Sequence, residues 1–359
     1  MNLLKSVVGI DISKDDFHVC LKQLSDHVVV KGSRSFSNTP EGFNAFSTWI
    51  SSKVKDLSTL FFVMEATGIY HENVTHYLYS NGFSVSVVLA NKIKYFAKSL
   101  NLKTKTDKAD ASMIASYGLE RNPDLWKPMI PQYATLRQLS RELSALKKDL
   151  IRYKAQRHAL SYAHDILQFV SALKDEQISF IEKAISTVEE ELLRTAKGDI
   201  EFDKRVKKLE TIPGIRRISI LIILCETNGF ELFSNIRQVV SYSGLDITEK
   251  QSGKFNGKSK ISKKGNSRIR HCLYMPSLTA CRYNVPIKNL YDRIIEKNPT
   301  TKKKGVVAGM RKLLSLCFVL WKKNEVYNID YQWNNKQTSG NDEAMLSYSP
   351  GSKIQIEKE

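Results

Sequence analysis

The sequence lacks the features that mark membrane, secreted and zinc-ribbon proteins. Its apolar runs are short, for example the eight-residue segment Ile218–Cys225, whereas a membrane-spanning helix needs about 20 apolar residues. The five cysteines are scattered and form no Cys-x-x-Cys pair, which disfavours a zinc ribbon or a disulfide framework and favours a reducing compartment. No signal-peptide cleavage site precedes the first strand pattern. We therefore expect a cytoplasmic protein with no membrane partner.

Nucleotide-binding motifs are also missing. The segment Gly9–Ser13 (GIDIS) is similar to the first phosphate loop of sugar kinases and actin-like ATPases. Those proteins need a second phosphate turn rich in Asp and Gly and a later Gly-Gly adenosine motif, and the sequence contains neither. It also has no Walker-type GxxxxGKS/T segment. A nucleotide-driven enzyme is therefore disfavoured.

Positive charge is abundant and unevenly distributed. The 359 residues carry 55 Lys and Arg against 37 Asp and Glu, a formal net charge of +18. The stretch from Gln251 to Lys323 contains eighteen of these cations and only two acids, a net charge of +16. Such a block is typical of proteins that bind a polyanion, because each phosphate that a cation neutralises releases condensed counterions. The charge therefore indicates a nucleic-acid partner, with a solvated lysine-rich surface as the alternative.

The first hundred residues alternate between strand and helix patterns. Three short β-branched strands occupy residues 5–36, and a helix follows with Thr39 as its N-cap and Pro40 as its first residue. Apolar runs at 59–66 and 83–90 predict two further strands, each with a helix after it. This order predicts a mixed sheet with a βαβ half, which is the layout of an α/β ribonuclease H-like domain.

A heptad pattern follows this domain. Apolar residues recur at alternating intervals of three and four, at Leu136, Leu139, Leu143, Leu146, Leu150 and Tyr153. The pattern resumes after a break near Ser171–Asp175 and ends at Gly198. It predicts two long helices that form either an antiparallel hairpin or an intermolecular coiled coil.

The remainder is predicted to be mostly α-helical. A tight turn at Pro213–Gly214 between two helix patterns resembles a helix-hairpin-helix, which often presents main-chain amides to a phosphate. The segment from about Tyr331 lacks periodicity and is predicted to be disordered. The predicted regions are a ribonuclease H-like domain, a coiled-coil helical region, a helical C-terminal domain and a tail, at residues 1–120, 121–200, 201–328 and 329–359.

Four carboxylates stand where this topology brings chain segments together. Asp11 lies in the first strand and Glu65 ends the fourth, and these strands are neighbours in a ribonuclease H-like sheet. Asp107 and Asp110 share one face at the start of a helix that can pack against the same edge. Converging carboxylates repel one another unless cations neutralise them. The set therefore predicts a Mg²⁺ site, with Mn²⁺ as the alternative metal.

Each of these acids also has a purely structural interpretation. Asp11 can be a turn residue at a strand end, and Glu65 can be an exposed acid beside a loop. Asp107 can cap its helix, and Asp110 can interact with the same helix dipole. Metal binding is favoured because strand centres rarely hold an unpaired carboxylate such as Asp11, and because all four acids occur in the expected order.

A Ser-Gly pair in the basic stretch is the second chemical candidate. Ser252 and Gly253 precede seven cations, namely Lys254, Lys258, Lys260, Lys263, Lys264, Arg268 and Arg270. A serine that attacks a phosphate needs cations near the oxyanion that develops. From the residues alone, a loop that only grips phosphates is favoured over a nucleophile.

The motifs around these residues resemble one known family. GIDISK, MEATGIY and KTDKADA are similar to the N-terminal DEDD domain of the IS110-type insertion-sequence transposases. ETIPGI, FSNIRQVVSYSGLDI, QSGKFNGKSKISKKGN and RIRHCLYM are similar to the C-terminal transposase domain of that family. The resemblance runs in the same order from residue 5 to the end of the basic stretch.

The resemblance implies a fold, a chemistry and partners. The N-terminal domain would be RuvC-like, with Asp11, Glu65, Asp107 and Asp110 as ligands of Mg²⁺ or Mn²⁺. Ser252 would be the nucleophile of a C-terminal serine transposase domain. The implied partners are double-stranded donor and target DNA, a structured non-coding guide RNA that pairs with both, and further copies of the chain in a dimer or tetramer joined by the coiled coil.

The sequence therefore predicts a DNA transposase or site-specific recombinase that excises and inserts its own insertion sequence in a bacterial or archaeal cytoplasm, at the nucleoid. Ser252 would form a phosphoserine–DNA intermediate that a 3′-hydroxyl of a second strand resolves. Ser241, Ser243, Ser259 and Ser262 are alternative nucleophiles. Two other functions stay open: a structure-selective Holliday-junction nuclease that uses only the carboxylates, and a basic nucleic-acid-binding protein without catalysis.

Overall fold

The computed structural model describes residues 6–25, 27–101, 106–249, 251–252, 255–257 and 260–328. The chain divides into two compact units, Met1–Pro128 and Met129–Glu359. The predicted tail at 329–359 lies outside the described residues. Among the described helices, none has both the length and the apolar character to span a lipid bilayer.

A mixed sheet forms the centre of the first unit. Its strands are β1 (Ser6–Ile12), β2 (Asp16–Leu24), β3 (Val28–Ser37), β4 (Leu60–Glu65) and β5 (Ser84–Val88). The spatial order is β3-β2-β1-β4-β5. β1 to β3 form an antiparallel meander, whereas β4 runs parallel to both β1 and β5. The predicted mixed sheet, with its first and fourth strands as neighbours, is confirmed.

In the described part of the first unit, four α-helices surround this sheet. They are α1 (Pro40–Lys53), α2 (Glu72–Ser80), α3 (Ala90–Ser99) and α4 (Asp107–Arg121). Thr39 caps α1 as predicted, because its Oγ1 accepts a hydrogen bond from the main-chain N–H of Gly42 and Pro40 is the first helical residue. The cap and the proline together fix where α1 begins.

The sheet separates two hydrophobic cores. Alternate residues of β1 face opposite sides, so Val8 and Ile10 join one core while Val7 joins the other. Phe46 of α1 belongs to the first core, and Ile114 of α4 belongs to the second. β1 is therefore covered on both faces, which explains its continuous apolar sequence.

Gly9 determines how closely α4 approaches β1. A Cβ atom at Gly9 would lie 2.2 Å from the main-chain oxygen of Ala111 and 2.2 Å from the main-chain nitrogen of Ala115. No side chain fits there, so the helix backbone packs directly on the strand. Gly118 makes a second close contact, because a Cβ atom there would lie 2.6 Å from Cγ1 of Val7. The two glycines therefore hold α4 against β1.

Helices dominate the described part of the second unit. They are α5 (Pro131–Leu160), α6 (Gln168–Lys197), α7 (Ile200–Glu210), α8 (Arg217–Glu226), α9 (Ile236–Ser243), α10 (Ser267–Tyr283), α11 (Val285–Lys297) and α12 (Lys303–Lys323). α5 and α6 pack antiparallel, since ion pairs join Lys147 to Glu189 at 2.6 Å and Arg157 to Asp175 at 2.9 Å. This is the hairpin alternative of the prediction, and the coiled-coil character stays a prediction.

The connection between the two hairpin helices differs from the prediction. α5 ends at Leu160 and α6 begins at Gln168, so the break lies at 161–167. The break predicted near Ser171–Asp175 is wrong. That segment, SALKD, has neither Gly nor Pro, and its Ala, Leu and Lys residues favour a helix.

One hydrophobic core joins the root of the hairpin to the C-terminal helices. Leu136 of α5 and Leu192 of α6 are fully buried in the same cluster as Leu221 of α8 and Leu313 of α12. The predicted tight turn at Pro213–Gly214 lies between α7 and α8. The domain boundary that the sequence predicts at residue 200 stays a prediction.

Candidate active site

Two of the predicted carboxylates lie at the same end of neighbouring parallel strands. Ile10 of β1 is in register with Met64 of β4, so the residues that follow them, Asp11 and Glu65, come side by side. On the other side of β1, Asp11 is opposite His18 of β2. The strand order therefore brings the first two acids together.

The other two acids begin α4. Thr106 is the N-cap, because its Oγ1 accepts a hydrogen bond from the main-chain N–H of Ala109 at 3.2 Å. Asp107 and Asp110 occupy the first turn, where the positive end of the helix dipole favours acids. Ala111, the next residue, is the one whose backbone packs on Gly9. The helix dipole therefore stabilises both acids, and the packing of α4 places them beside β1.

The pKa of Asp11 shows that the four acids lie close together. Burial raises this pKa, and the charges of Asp110, Asp107 and Glu65 raise it further, to about 6 from 3.8. Like charges at short range disfavour ionisation. The structure therefore brings the other three predicted carboxylates into electrostatic range of Asp11.

The donor set is suited to a hard divalent cation. All four side chains are carboxylates, whose oxygens Mg²⁺ and Mn²⁺ prefer, and their mutual repulsion is what a cation would relieve. As the side chains stand, no group of three or more His, Cys, Asp or Glu residues in the described ranges forms a ready metal cage. The chemistry of the donors fits a metal, and the ligand assignment stays a prediction.

The predicted nucleophile lies in a short β arm of the second unit. Strands β6 (Ile247–Thr248) and β9 (Lys260–Ile261) pair antiparallel, as do β7 (Gln251–Ser252) and β8 (Phe255–Asn256). Residues 246–262, which we call the serine arm, thus run out and back, with the main chain of Ser252 in the last pair before the return. The Ser252 side chain, Lys254 and Lys258 lie outside the described residues.

The foot of the serine arm is fixed by polar contacts. Ser262 donates a hydrogen bond from Oγ to Oδ1 of Asp246 at 2.5 Å, and its main-chain N–H donates to the Asp246 carbonyl at 2.8 Å. Arg270 donates from Nη1 to the carbonyl oxygens of Ser243 at 2.8 Å and Gly265 at 3.1 Å. The arm therefore projects from a base that α9 and α10 hold in place.

The predicted nucleic-acid ligands have different surroundings. Lys260, Lys263 and Lys264 are exposed. Arg268 is also exposed, whereas Arg270 is half-buried and bound to the main-chain oxygens at the foot of the arm. Nucleic-acid binding by all of them stays a prediction.

The alternative serines differ in their exposure. Ser243 is fully buried, and the hydroxyl of Ser262 is bonded to Asp246. Ser241 is exposed, and Ser259 lies outside the described residues. The contacts of Ser243 and Ser262 disfavour them as nucleophiles.

Two positioning residues are missed by the sequence prediction. Gly9 is identified there only as part of a segment similar to a phosphate loop, although a glycine inside an apolar strand is a signal of close backbone approach. Asn266 caps α10, because its Oδ1 accepts hydrogen bonds from the main-chain N–H groups of Arg268 and Ile269. An Asn directly before a helix pattern is the signal that could have identified it.

Replacing Asp11 by Asn (Asp11→Asn) should change how stability depends on pH. The unfolded chain ionises Asp11 near pH 3.8, whereas the folded chain keeps it protonated up to about pH 6, so folding loses stability as pH rises through this interval. Without divalent cations, we expect the variant's free energy of unfolding to exceed the wild-type value by about 1–2 kcal/mol at pH 8, with the difference shrinking toward pH 4. Denaturant titrations in EDTA measure this difference.

Asp15→Asn is the matched control, because Asp15 is exposed in the turn after β1. Its unfolding should follow that of the wild type at every pH. If Asp11→Asn showed the same pH dependence as the wild type, the four acids would not be electrostatically coupled.

Known proteins are similar to this chain over different extents. The pilin gene-inverting proteins of Moraxella bovis and Moraxella lacunata are each 30% identical over 325 residues, which cover 90% of this chain and 98% of the relative. Among solved structures, Thermus thermophilus RuvC aligns with 34% of this chain and 99% of its own length, at 13% identity and a TM-score of 0.27.

Two family models match separate parts of the chain. Residues 8–161 match a transposase model, the DEDD domain of the IS110 type, and residues 206–292 match the model described as transposase IS116/IS110/IS902 family. The first match contains the four carboxylates, and the second contains the serine arm. The chain therefore belongs to the IS116/IS110/IS902 family of transposases and is an enzyme that recombines DNA.

Proposed function

We propose that this transposase excises and inserts its own insertion sequence by combining a divalent-metal site in the first unit with a serine nucleophile in the second. The observation that carries the proposal is the convergence of three other carboxylates on Asp11, whose pKa their charges raise. In an enzyme that recombines DNA, a carboxylate cluster of this kind is suited to handling a phosphodiester.

Asp11, Glu65, Asp107 and Asp110 would hold Mg²⁺, with Mn²⁺ as the alternative. When bound, the cation supplies charge neutralisation and Lewis-acid stabilisation at the phosphate oxygens. The chain itself holds the four acids at one end of β1, β4 and α4. Because the pKa of Asp11 is about 6, its carboxylate is available as a ligand mainly above that pH, and cation affinity should weaken in more acidic solution.

Ser252 would carry the strand transfer. Its hydroxyl oxygen bonds to the scissile phosphorus, its proton leaves to a base, and the bond from phosphorus to the departing 3′-oxygen breaks. The 3′-hydroxyl of a second strand then attacks the phosphoserine and restores the serine. One phosphodiester is exchanged for another, so no ATP is needed. The exposed cations Lys260, Lys263 and Lys264 lie on or beside the serine arm and support this role.

A structured non-coding RNA that pairs with donor and target DNA would choose the sites of reaction, at the nucleoid of a bacterial or archaeal cytoplasm. The net charge of +16 between Gln251 and Lys323 supports binding of more than one nucleic-acid strand. Base pairing would then supply sequence specificity, while the protein binds the backbone.

A second copy of the chain would pack against the far end of the hairpin. Large apolar side chains are exposed there, with Tyr162 at 78%, Leu167 at 67% and Phe169 at 70%, and Phe180, nearer the middle of α6, is 73% exposed. A cluster of exposed apolar residues of this size is typical of an interface. The proposal is therefore a dimer, or a tetramer built from dimers, joined through the hairpin.

A junction nuclease that uses only the carboxylates is the second candidate. The observation that favours it is that all four acids belong to one unit, Met1–Pro128. Hydrolysis by a metal-bound water would then replace attack by Ser252.

Covalent trapping separates these two functions. Protein, Mg²⁺, flanking non-coding RNA and labelled DNA spanning the element junction are mixed, denatured and resolved on a gel. We expect a protein–DNA adduct from the wild type and a loss of at least about 100-fold for both Ser252→Ala and Asp11→Asn, since each removes a group that acts on the phosphate. Omitting the RNA should also abolish the adduct.

Ser241→Ala is the matched control, because Ser241 is the exposed alternative serine on α9, just before the serine arm. It should retain most of the adduct. Cleavage that survives Ser252→Ala but not Asp11→Asn, with no adduct, would establish the metal-only nuclease and refute the serine mechanism.

The proposed interface is tested by Phe169→Glu combined with Phe180→Glu. Two charges on an apolar interface core should weaken self-association by at least about tenfold, because each must be desolvated without a partner. Sedimentation equilibrium of wild type and variant measures the change. Glu182→Gln on the same helix is the control, and an unchanged oligomer in the double variant would exclude this face.

A further inference from the structure

The buried carboxylate of Glu226, the last residue of α8, is the centre of a charged cluster in the second unit. Its side chain is 0% exposed. Arg141 of α5 donates from Nε at 2.9 Å and from Nη2 at 3.2 Å to its two oxygens, and Asn266 donates from Nδ2 at 2.7 Å. Burial raises the pKa of Glu226, but these hydrogen bonds and the charges of Arg141 and Arg137 outweigh burial and hold it below its ordinary value. Glu226 is therefore ionised at neutral pH.

Two further arginines lie around the same carboxylate. Nε of Arg137 is 3.8 Å and Nε of Arg268 is 3.9 Å from an oxygen of Glu226, which is ion-pair range but too long for a hydrogen bond. Within the described ranges, no other Asp or Glu pairs with Arg137, Arg141 or Arg268. Three cations therefore share one anion, and the cluster carries two surplus positive charges.

The surplus charge faces solvent. The side chains of Arg137 and Arg141 are each 33% exposed and that of Arg268 is 49% exposed, while the carboxylate beneath them is closed off. Nε of Arg137 is buried and has no hydrogen-bond partner among the described residues. Arg137 and Arg268 therefore interact with the carboxylate as ion pairs and not through hydrogen bonds. Their guanidinium N–H groups can donate to a bound acceptor.

The start of α10 adds to the positive potential at the same place. Asn266 caps this 17-residue helix and also bonds to Glu226, and the first turn contains no acid. The positive end of the helix dipole therefore lies beside the three arginines. The cluster also adjoins the foot of the serine arm, because the main-chain N–H of Asn266 donates to the carbonyl of Tyr242 and the Tyr242 hydroxyl donates to the carbonyl of Glu226.

We propose that Arg137, Arg141 and Arg268, assembled on Glu226, form a binding site for one backbone phosphate of a nucleic acid. Guanidinium groups match the oxygens of a phosphodiester, and one bound phosphodiester charge offsets half of the surplus. Glu226 is the positioning residue that fixes the arginines. The site requires that the enzyme bind DNA or its guide RNA but does not require Ser252 to be the nucleophile, so the two proposals can fail separately.

The test combines Arg137→Gln with Arg268→Gln. This double variant leaves the Arg141–Glu226 and Asn266–Glu226 hydrogen bonds intact, so the helix contacts persist. Arg152→Gln with Arg194→Gln removes the same charge from exposed positions on the hairpin, 60% and 78% exposed, and is the matched control. Dissociation constants are measured by fluorescence anisotropy from 50 to about 300 mM KCl for a labelled 30-base-pair DNA duplex and, separately, for a labelled RNA hairpin.

We expect the double variant to bind at least one probe about tenfold more weakly than the control at 100 mM KCl. The slope of log affinity against log salt should also fall by about 0.9, which is the value of one lost phosphate contact. A change with the duplex alone, the RNA alone or both assigns the source of the phosphate. Arg137→Lys with Arg268→Lys should keep the salt slope and lose only part of the affinity. Affinities and slopes equal to those of the control for both probes, in a variant with wild-type thermal unfolding, would overturn the proposal.

Discussion

The close packing of α4 on β1 is the constraint on which the first unit depends. Four carboxylates repel one another, and a fold that gathers them must hold their backbones firmly. Gly9 permits this because no side chain separates the strand from Ala111 and Ala115. The first turn of α4 is thereby delivered to the strand end where Asp11 lies, and the raised pKa of Asp11 is the electrostatic consequence.

The second unit supports the two-stranded serine arm. Contacts of Asp246, Ser262 and Arg270 fix the foot of this arm. Behind the foot, Glu226 connects α8 to α5 and to the cap of α10. The root of the hairpin and the base of the arm therefore share one polar network next to one hydrophobic core. A polar network whose members are bonded fixes relative positions more strictly than apolar packing does.

Local signals predicted much of this molecule. The Thr39 cap and the start of α4 at Asp107 follow from patterns within a few residues, the β1-to-β4 neighbourhood follows from the order of the elements, and all three are confirmed. The cap of α4 is Thr106, whereas the structural interpretation of the sequence gave that role to Asp107. The helix break was misplaced because the heptad pattern ends at Tyr153 and resumes only after Asp175, so it does not mark the connection at 161–167. The partners of Glu226 could not be predicted, since they come from segments 40 and 85 residues away in sequence and only packing brings them together. The chemical assignment of Ser252 rests on family resemblance, whereas the proximity of the carboxylates is supported by geometry as well.

The most direct test of this account asks whether the contact at Gly9 creates the cation site. Binding of Mn²⁺ to the full chain is measured by electron paramagnetic resonance for wild type, Gly9→Ala and the control Gly198→Ala, whose new Cβ would lie 3.5 Å from its nearest neighbour. We expect Gly9→Ala, checked for folding by circular dichroism, to weaken Mn²⁺ affinity by at least about tenfold, and Gly198→Ala to leave it unchanged. A folded Gly9→Ala protein that binds Mn²⁺ as tightly as the wild type would contradict the claim that this contact assembles the site.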